Sequence, residues 1–224
     1  AVSQTINGRE EAQGLHSHGF DCAIWSDFRF RDDDIIISTY AKSGTTWMQQ
    51  IIAQLLFGPD PALEVAETSP WLDLRVPPKE VKLPVVEAQT HRRFIKTHLP
   101  VDALVFSPSA KYIYIGRDGR DVLWSFYNHH VNANETWYSA LNDTPGRVGP
   151  PIERPPGDVR QYWHDWLSRD EAAVGAARLD HGQLDPLLAA GQQAVVLQQH
   201  RIARPQVGEE VGVREHRPLR VAGR

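Results

Sequence analysis

Cysteine and methionine each occur once, at Cys22 and Met48. A lone cysteine excludes an intrachain disulfide framework and fits a reducing compartment. No apolar run approaches the roughly 18 residues of a membrane-spanning helix, and the N-terminal residues lack a charged-then-apolar signal pattern. These absences lead to the expectation of a cytoplasmic protein working away from membranes. An excess of positive charge is also lacking. The formal net charge of −4 argues against a nucleic-acid binder that relies on bulk charge. Two absences are regional: no lysine follows Lys111, and the last 58 residues contain no Phe, Tyr or Trp. A stretch that builds a third of a domain core normally carries aromatics, so this tail is atypical. No internal repeat is present.

What remains suits one α/β domain of 224 residues, large enough to bury a substantial core. Residues 1–30 are polar and then mixed with aromatics, and are expected to cover one edge. Arg31-Asp-Asp-Asp34 reads as a solvated turn. Ile35–Ser38 has the continuous β-branched character of a strand buried on both faces. From Thr45 to Phe57 the apolar spacing is helical, and Gly58-Pro59 ends it. Prolines and charges dominate 59–90. Two further strands are expected at Arg93–Thr97 and Lys111–Gly116, with a helix over Val122–His130. Residues 143–158 read as a long surface loop of the kind that often forms lids, followed by a short aromatic-bearing helix. Strands alternating with helices imply a parallel sheet flanked by helices, with ligands at the strand C-terminal ends.

Three such ends carry chemistry. At the first, Ala41-Lys-Ser-Gly-Thr-Thr46 lies between strand and helix. Helix N-terminal amides and the helix dipole favour an anion there. Gly44 permits close approach, Lys42 brings a mobile charge, and Ser43, Thr45 and Thr46 bring donors. The lysine precedes the glycine, against the order of a Walker A kinase loop. Taken alone, this loop fits an ordinary turn as well. At the second end, Lys96 and His98 lie two apart and point to the same side. A neutral imidazole can take a proton from a hydroxyl, and a neighbouring cation keeps it neutral. A solvated lysine and a structural histidine are the alternative. The third end couples Arg117 to Ser125, able to grip a phosphate bidentately and to add a hydroxyl. Arg120, Asp118 and Asp121 read as surface charges or helix caps. His16 and His18 have no ligand cluster beside them, and no metal site is expected. His129 and His130 read as helix-end residues that could border an acceptor pocket.

Together these segments resemble the cytosolic-type sulfotransferase family, which uses 3′-phosphoadenosine 5′-phosphosulfate (PAPS) as sulfuryl donor. Thr39-Tyr-Ala-Lys-Ser-Gly-Thr-Thr-Trp47 is similar to that family's 5′-phosphosulfate loop, with Ala41 where proline is usual. Lys96-Thr-His-Leu-Pro100 resembles the segment with its catalytic histidine. Tyr114-Ile-Gly-Arg-Asp-Gly-Arg-Asp-Val122 with Ser125 resembles its 3′-phosphate segment, with Gly119 where proline is usual. The resemblance spans about residues 25–166 and implies a P-loop-like nucleotide-binding core. It further implies that Lys42 stabilises the leaving phosphate, that Ser43, Gly44, Thr45 and Thr46 hold the 5′-phosphate, and that Trp47 stacks on adenine. Arg117 and Ser125 would hold the 3′-phosphate, His98 would act as general base, and Lys96 would neutralise the sulfuryl oxygens. Trp71 resembles an acceptor-pocket position, though it fits a core tryptophan equally. No metal is implied. The acceptor would be a hydroxyl or amine of a small molecule, of unspecified identity, and the oligomeric state is open.

The resemblance stops before the family's Arg-Lys-Gly loop, which is absent here. Residues 171–224 therefore read as foreign to the family, with a shifted reading frame as the leading explanation and a divergent tail as the second. The main expectation for residues 1–224 is a single sulfotransferase-like domain. A defective copy and a non-catalytic nucleotide- or phosphate-binding module are the alternatives. A P-loop kinase ranks third.

Overall fold

The computed structural model describes residues 19–60, 62–99 and 103–168, together with the backbone of 194–199. Four parallel strands form one sheet in the order β2-β1-β3-β4, with β1 at Ile35–Thr39, β2 at Phe94–Thr97, β3 at Lys111–Arg117 and β4 at Ala194–Gln199. Among the described residues seven helices accompany it: α1 (Ile24–Asp27), α2 (Thr45–Phe57), α3 (Val65–Thr68), α4 (Lys79–Ala88), α5 (Gly119–Asn132), α6 (Glu135–Asn142) and α7 (Val159–Ser168). The fold is thus α/β with a parallel sheet flanked by helices.

Every residue of β1 is buried. Strand period two sends Ile36 to one face, where it joins Ile95, Tyr112, Trp25, Leu72 and Val86. It sends Ile35 and Ile37 to the other, where they pack with Phe94, Ile115, Ile52 and Ala53. A smaller cluster of Leu123, Tyr162 and Trp166 joins α5 to α7. The register pairs Ser38 with Thr97 and with Tyr114, which brings the C-terminal ends of β1, β2 and β3 to one edge of the sheet.

Several details differ from the sequence reading. Asp34 does not belong to a solvated turn. It is buried, and the guanidinium of Arg93, equally buried, donates Nε to Oδ1 at 2.9 Å and Nη2 to Oδ2 at 2.5 Å. Asp33 does face solvent, beside Lys111 and Arg92. The stretch 59–90 holds two helices, and Pro84 lies inside α4. Helix α6 also appears, its first turn capped by the Asn134 side chain. The atypical tail supplies β4, paired with β3 along its whole length. Otherwise the tail and the histidines at 16 and 18 lie outside the described residues. The 143–158 loop is present, tied to α6 by the Asn142 side chain through both its amide nitrogen and its oxygen. On α2 only part of the apolar pattern turns inward. Ile52 and Ala53 are buried, whereas Trp47, Ile51 and Leu55 form an exposed stripe at four-residue spacing.

Candidate active site

The turn after β1 runs Tyr40–Gly44 into α2. Its backbone enters the left-handed region twice, at Lys42 (φ 66°) and at Gly44 (φ 104°). A lysine in that region is held at a cost of about 1–3 kcal/mol, a strain concentrated where function requires a fixed shape. Gly44 sits at the N-cap of α2 without a side-chain cap, so the leading amides of the helix have no side-chain acceptor. Beside them the Ser43 hydroxyl is buried and has no hydrogen-bond partner among the described residues. A buried orphan hydroxyl costs free energy unless something satisfies it. Uncapped amides, an orphan donor and a lysine at one helix start suit an anionic group. Thr46 and Trp47 are exposed, and the indole of Trp47 is 77% accessible and free to stack.

Arg117, the last residue of β3, donates Nη1 to the carbonyl of Lys42 at 2.9 Å and so ties the third corner to the first. Burial and the nearby Arg117 charge both lower the Lys42 pKa. Burial also lowers Lys96, where the Lys42 charge pushes the same way and Asp73 opposes. A chain with net charge −4 thus concentrates three cations, Lys42, Lys96 and Arg117, at one edge of its sheet. Ser125 lies on α5, partly buried, and no hydrogen bond joins it to Arg117 among the described residues. Asp118 caps α5 through the Arg120 amide, and Arg120 pairs with it at the surface.

The second corner faces the same edge. His98 is buried, and its Nδ1 lies 2.8 Å from the carbonyl oxygen of Thr39. A carbonyl only accepts, so Nδ1 carries the proton and Nε2 is left with its lone pair. The Thr39 hydroxyl is 3.2 Å from the same nitrogen and 2.5 Å from the hydroxyl of Thr45, linking the imidazole to the start of α2. Burial, then the Lys96 charge, push the His98 pKa down to about 3, so the ring is neutral at physiological pH. Trp71 touches both members of the pair. Lys96 Nζ stands 4.7 Å from the centre of its ring, and the His98 ring meets it at 4.6 Å in a T-shaped contact. Lys96 and His98 therefore lie on one side, as the period-two argument requires.

Two contributors escaped the sequence reading of roles: the Thr39 backbone carbonyl and Asp73 beneath Trp71. Burial lowers the pKa of His129, and the charges of Lys42 and Lys96 lower it further, which puts this helix-end residue of α5 within the field of the site. Among the described residues no group of three or more His, Cys, Asp or Glu is placed to hold a metal ion. No described helix is long and apolar enough to cross a membrane.

The sulfotransferase-domain family model matches residues 32–171. The glycolipid sulfotransferase of Mycobacterium bovis (strain BCG / Pasteur 1173P2) is 39% identical over 151 residues, covering 64% of this chain and 46% of that protein. Human sulfotransferase 2B1 is 42% identical over 112 residues, covering 47% of this chain and 29% of its own length. Among solved structures, mouse sulfotransferase SULT7A1 complexed with PAP aligns at a TM-score of 0.49 and 21% identity, covering 79% of this chain and 55% of that one. The chain spans about half the length of the mycobacterial relatives it matches. The matched segment carries all three corners, from the Lys42 loop through His98 to Arg117, and the chain belongs to the sulfotransferase-domain family.

Proposed function

We propose that the protein is a PAPS-dependent sulfotransferase that moves a sulfuryl group to a hydroxyl or amine of a small-molecule acceptor. The observation that carries this reading is the convergence of a hydrogen-bonded, neutral His98 with Lys42, Lys96 and Arg117 at one sheet edge. PAPS supplies the sulfuryl group and a bisphosphate leaving group. The Ser43–Thr46 amides and hydroxyls with Lys42 suit the 5′-phosphosulfate, the exposed Trp47 ring suits adenine, and Arg117 with Ser125 suits the 3′-phosphate.

In the proposed reaction the acceptor oxygen forms a bond to sulfur as the bond from sulfur to the bridging phosphate oxygen breaks. His98 Nε2 takes the acceptor proton, Lys96 balances charge on the sulfuryl oxygens, and Lys42 stabilises the departing phosphate. Positioned proton transfer contributes ~10²–10⁴ in rate, and fixed charge and alignment add to it. No side chain in this scheme requires a metal. Trp71, beside Lys96 and His98, is assigned to the acceptor pocket. A relative named for glycolipids makes a glycolipid hydroxyl the first acceptor to try, beside phenols, alcohols and amines. A cytoplasmic location belongs to the same proposal.

For residues 171–224 the proposal is a shifted reading frame. Translation of the other frames is expected to recover aromatics and an Arg-Lys-Gly segment, and failure to do so counts against it. The second reading, a defective copy or a binding module without catalysis, is favoured by the absence of that tripeptide. Incubation with labelled PAPS and an acceptor panel separates them: transfer means enzyme, retention of nucleotide without transfer means module.

A further inference from the structure

Asp73 is completely buried on the segment joining α3 to α4, and three donors converge on its carboxylate. Trp25 Nε1 donates to Oδ2 at 2.9 Å, and Trp71 Nε1 donates to Oδ1 at 2.5 Å. The Thr97 hydroxyl donates to Oδ2. An acceptor-only, ionised carboxylate is the group that fits three donors. Burial raises its pKa, and the donors oppose that rise.

The segment around Asp73 is itself held firmly. Lys82 Nζ donates to the carbonyls of Leu72 and Leu74, the residues on either side. The Leu72 N–H donates to the Lys96 carbonyl at 3.1 Å, and the Lys96 N–H donates to the Pro70 carbonyl at 3.1 Å. Asp73 therefore sits at a fixed point beneath the second corner. Two of its three bonds run directly to the site: one orients the indole on which Lys96 and His98 both rest, and the other holds Thr97, between those two residues.

We infer that Asp73 is a positioning residue, whose carboxylate locks Trp71 to Thr97, the residue between Lys96 and His98, and so aims the Lys96 ammonium and the His98 imidazole at one acceptor position. This rests on the assignment of His98 as the base. An asparagine of the same shape offers one acceptor oxygen and turns an NH₂ group toward the donors, so it cannot hold Trp71, Trp25 and Thr97 together.

The test is Asp73→Asn in the full chain, read by nitrogen NMR of labelled histidine and by kinetics. In the unaltered protein the His98 signals show Nδ1 protonated and Nε2 bare. In Asp73→Asn these signals move from their native positions as the ring loses its fixed pose against Trp71, while Nδ1 stays protonated against the Thr39 carbonyl. The kcat with PAPS falls at least tenfold, while affinity for adenosine 3′,5′-bisphosphate changes less than about twofold, because the Lys42–Arg117 corner is untouched. A folded Asp73→Asn protein with unchanged His98 nitrogen signals overturns the inference. If Asp73→Asn does not fold, Trp71→Phe, which keeps an aromatic ring but deletes the indole N–H link together with part of the ring, is read in the same way. A shift in the same direction supports the inference, and no shift overturns it. An unaltered chain without sulfotransferase activity defeats the sulfotransferase reading alone; the nitrogen signals still decide the role of Asp73.

Discussion

The imidazole of His98 donates its Nδ1–H to the Thr39 carbonyl across 2.8 Å, so the strand that leads into the anion loop also sets the tautomer of the histidine. Burial and the Lys96 and Lys42 charges hold the ring pKa at about 3, far below its ordinary 6.5. The unfolded chain binds a proton at this histidine below pH 6.5, whereas the folded protein does not until about pH 3. Stability is therefore lost as pH falls through that window, with a slope of up to about 1.4 kcal/mol per pH unit from this group. Denaturant melts at stepped pH, compared with His98→Asn, check this: the variant's slope between pH 6 and 4 is shallower. An anion bound beside Lys42 and Lys96 offsets their charge, so adenosine 3′,5′-bisphosphate is expected to raise the His98 pKa in an NMR titration.

Ser43 offers a contrast between stability and binding. Its hydroxyl is buried and unpartnered. Ser43→Ala is expected to leave the melting temperature unchanged or slightly higher, because an unsatisfied group is removed. Nucleotide affinity in the same variant falls several-fold by calorimetry. A destabilised variant with unaltered nucleotide affinity contradicts an anion-binding role.

Arg117 both ties down the Lys42 loop and offers its remaining donors to a phosphate. Charge-assisted bonds contribute about 1.5–3 kcal/mol each. Arg117→Ala should raise the nucleotide dissociation constant on the order of ten- to a hundredfold. Arg117→Lys recovers only part of that, since an ammonium lacks the planar fork. Lys42→Ala should lower both affinity and turnover, and unchanged values for both would remove Lys42 from the site.

Away from the site, Asp34 and Arg93 form a buried ion pair under β1 and β2, and Phe28 covers the guanidinium at 4.7 Å. Removing one partner strands a buried charge and costs about 3–5 kcal/mol. Asp34→Ala should lose that much in a denaturant melt, and Arg93→Met should lose a similar amount. A loss below about 1 kcal/mol in either variant contradicts the burial described.

The elements legible in the sequence are those whose signal is local. The Ile35–Ile37 run and the spacing after Thr45 each fit within one element, Lys96 and His98 straddle the end of β2, and all three lie where the sequence placed them. Asp34 was misread because a charge run ordinarily faces water, and its partner Arg93 is 59 residues away. Asp73 gave no signal because its donors come from Trp25, Trp71 and Thr97, brought together only by folding. Pro84 hid α4, since an interior proline removes a helical hydrogen bond and reads as a breaker. Strand β4 is a six-residue run within an aromatic-poor tail, and composition there outweighed its Val-Val-Leu core. In the loop Gly44 was read as the residue that permits close approach, yet Lys42 shares its left-handed backbone. No side-chain chemistry announces that geometry.

One measurement tests the central claim most directly: transfer of label from PAPS to a panel of hydroxyl and amine acceptors, by the unaltered chain and by His98→Ala. The account predicts transfer by the unaltered protein and a loss of ~10²–10⁴ in kcat in the variant, with adenosine 3′,5′-bisphosphate still bound within about twofold. Full activity in His98→Ala contradicts the assignment of the base, and an unaltered chain that retains nucleotide without transferring label contradicts the enzyme itself.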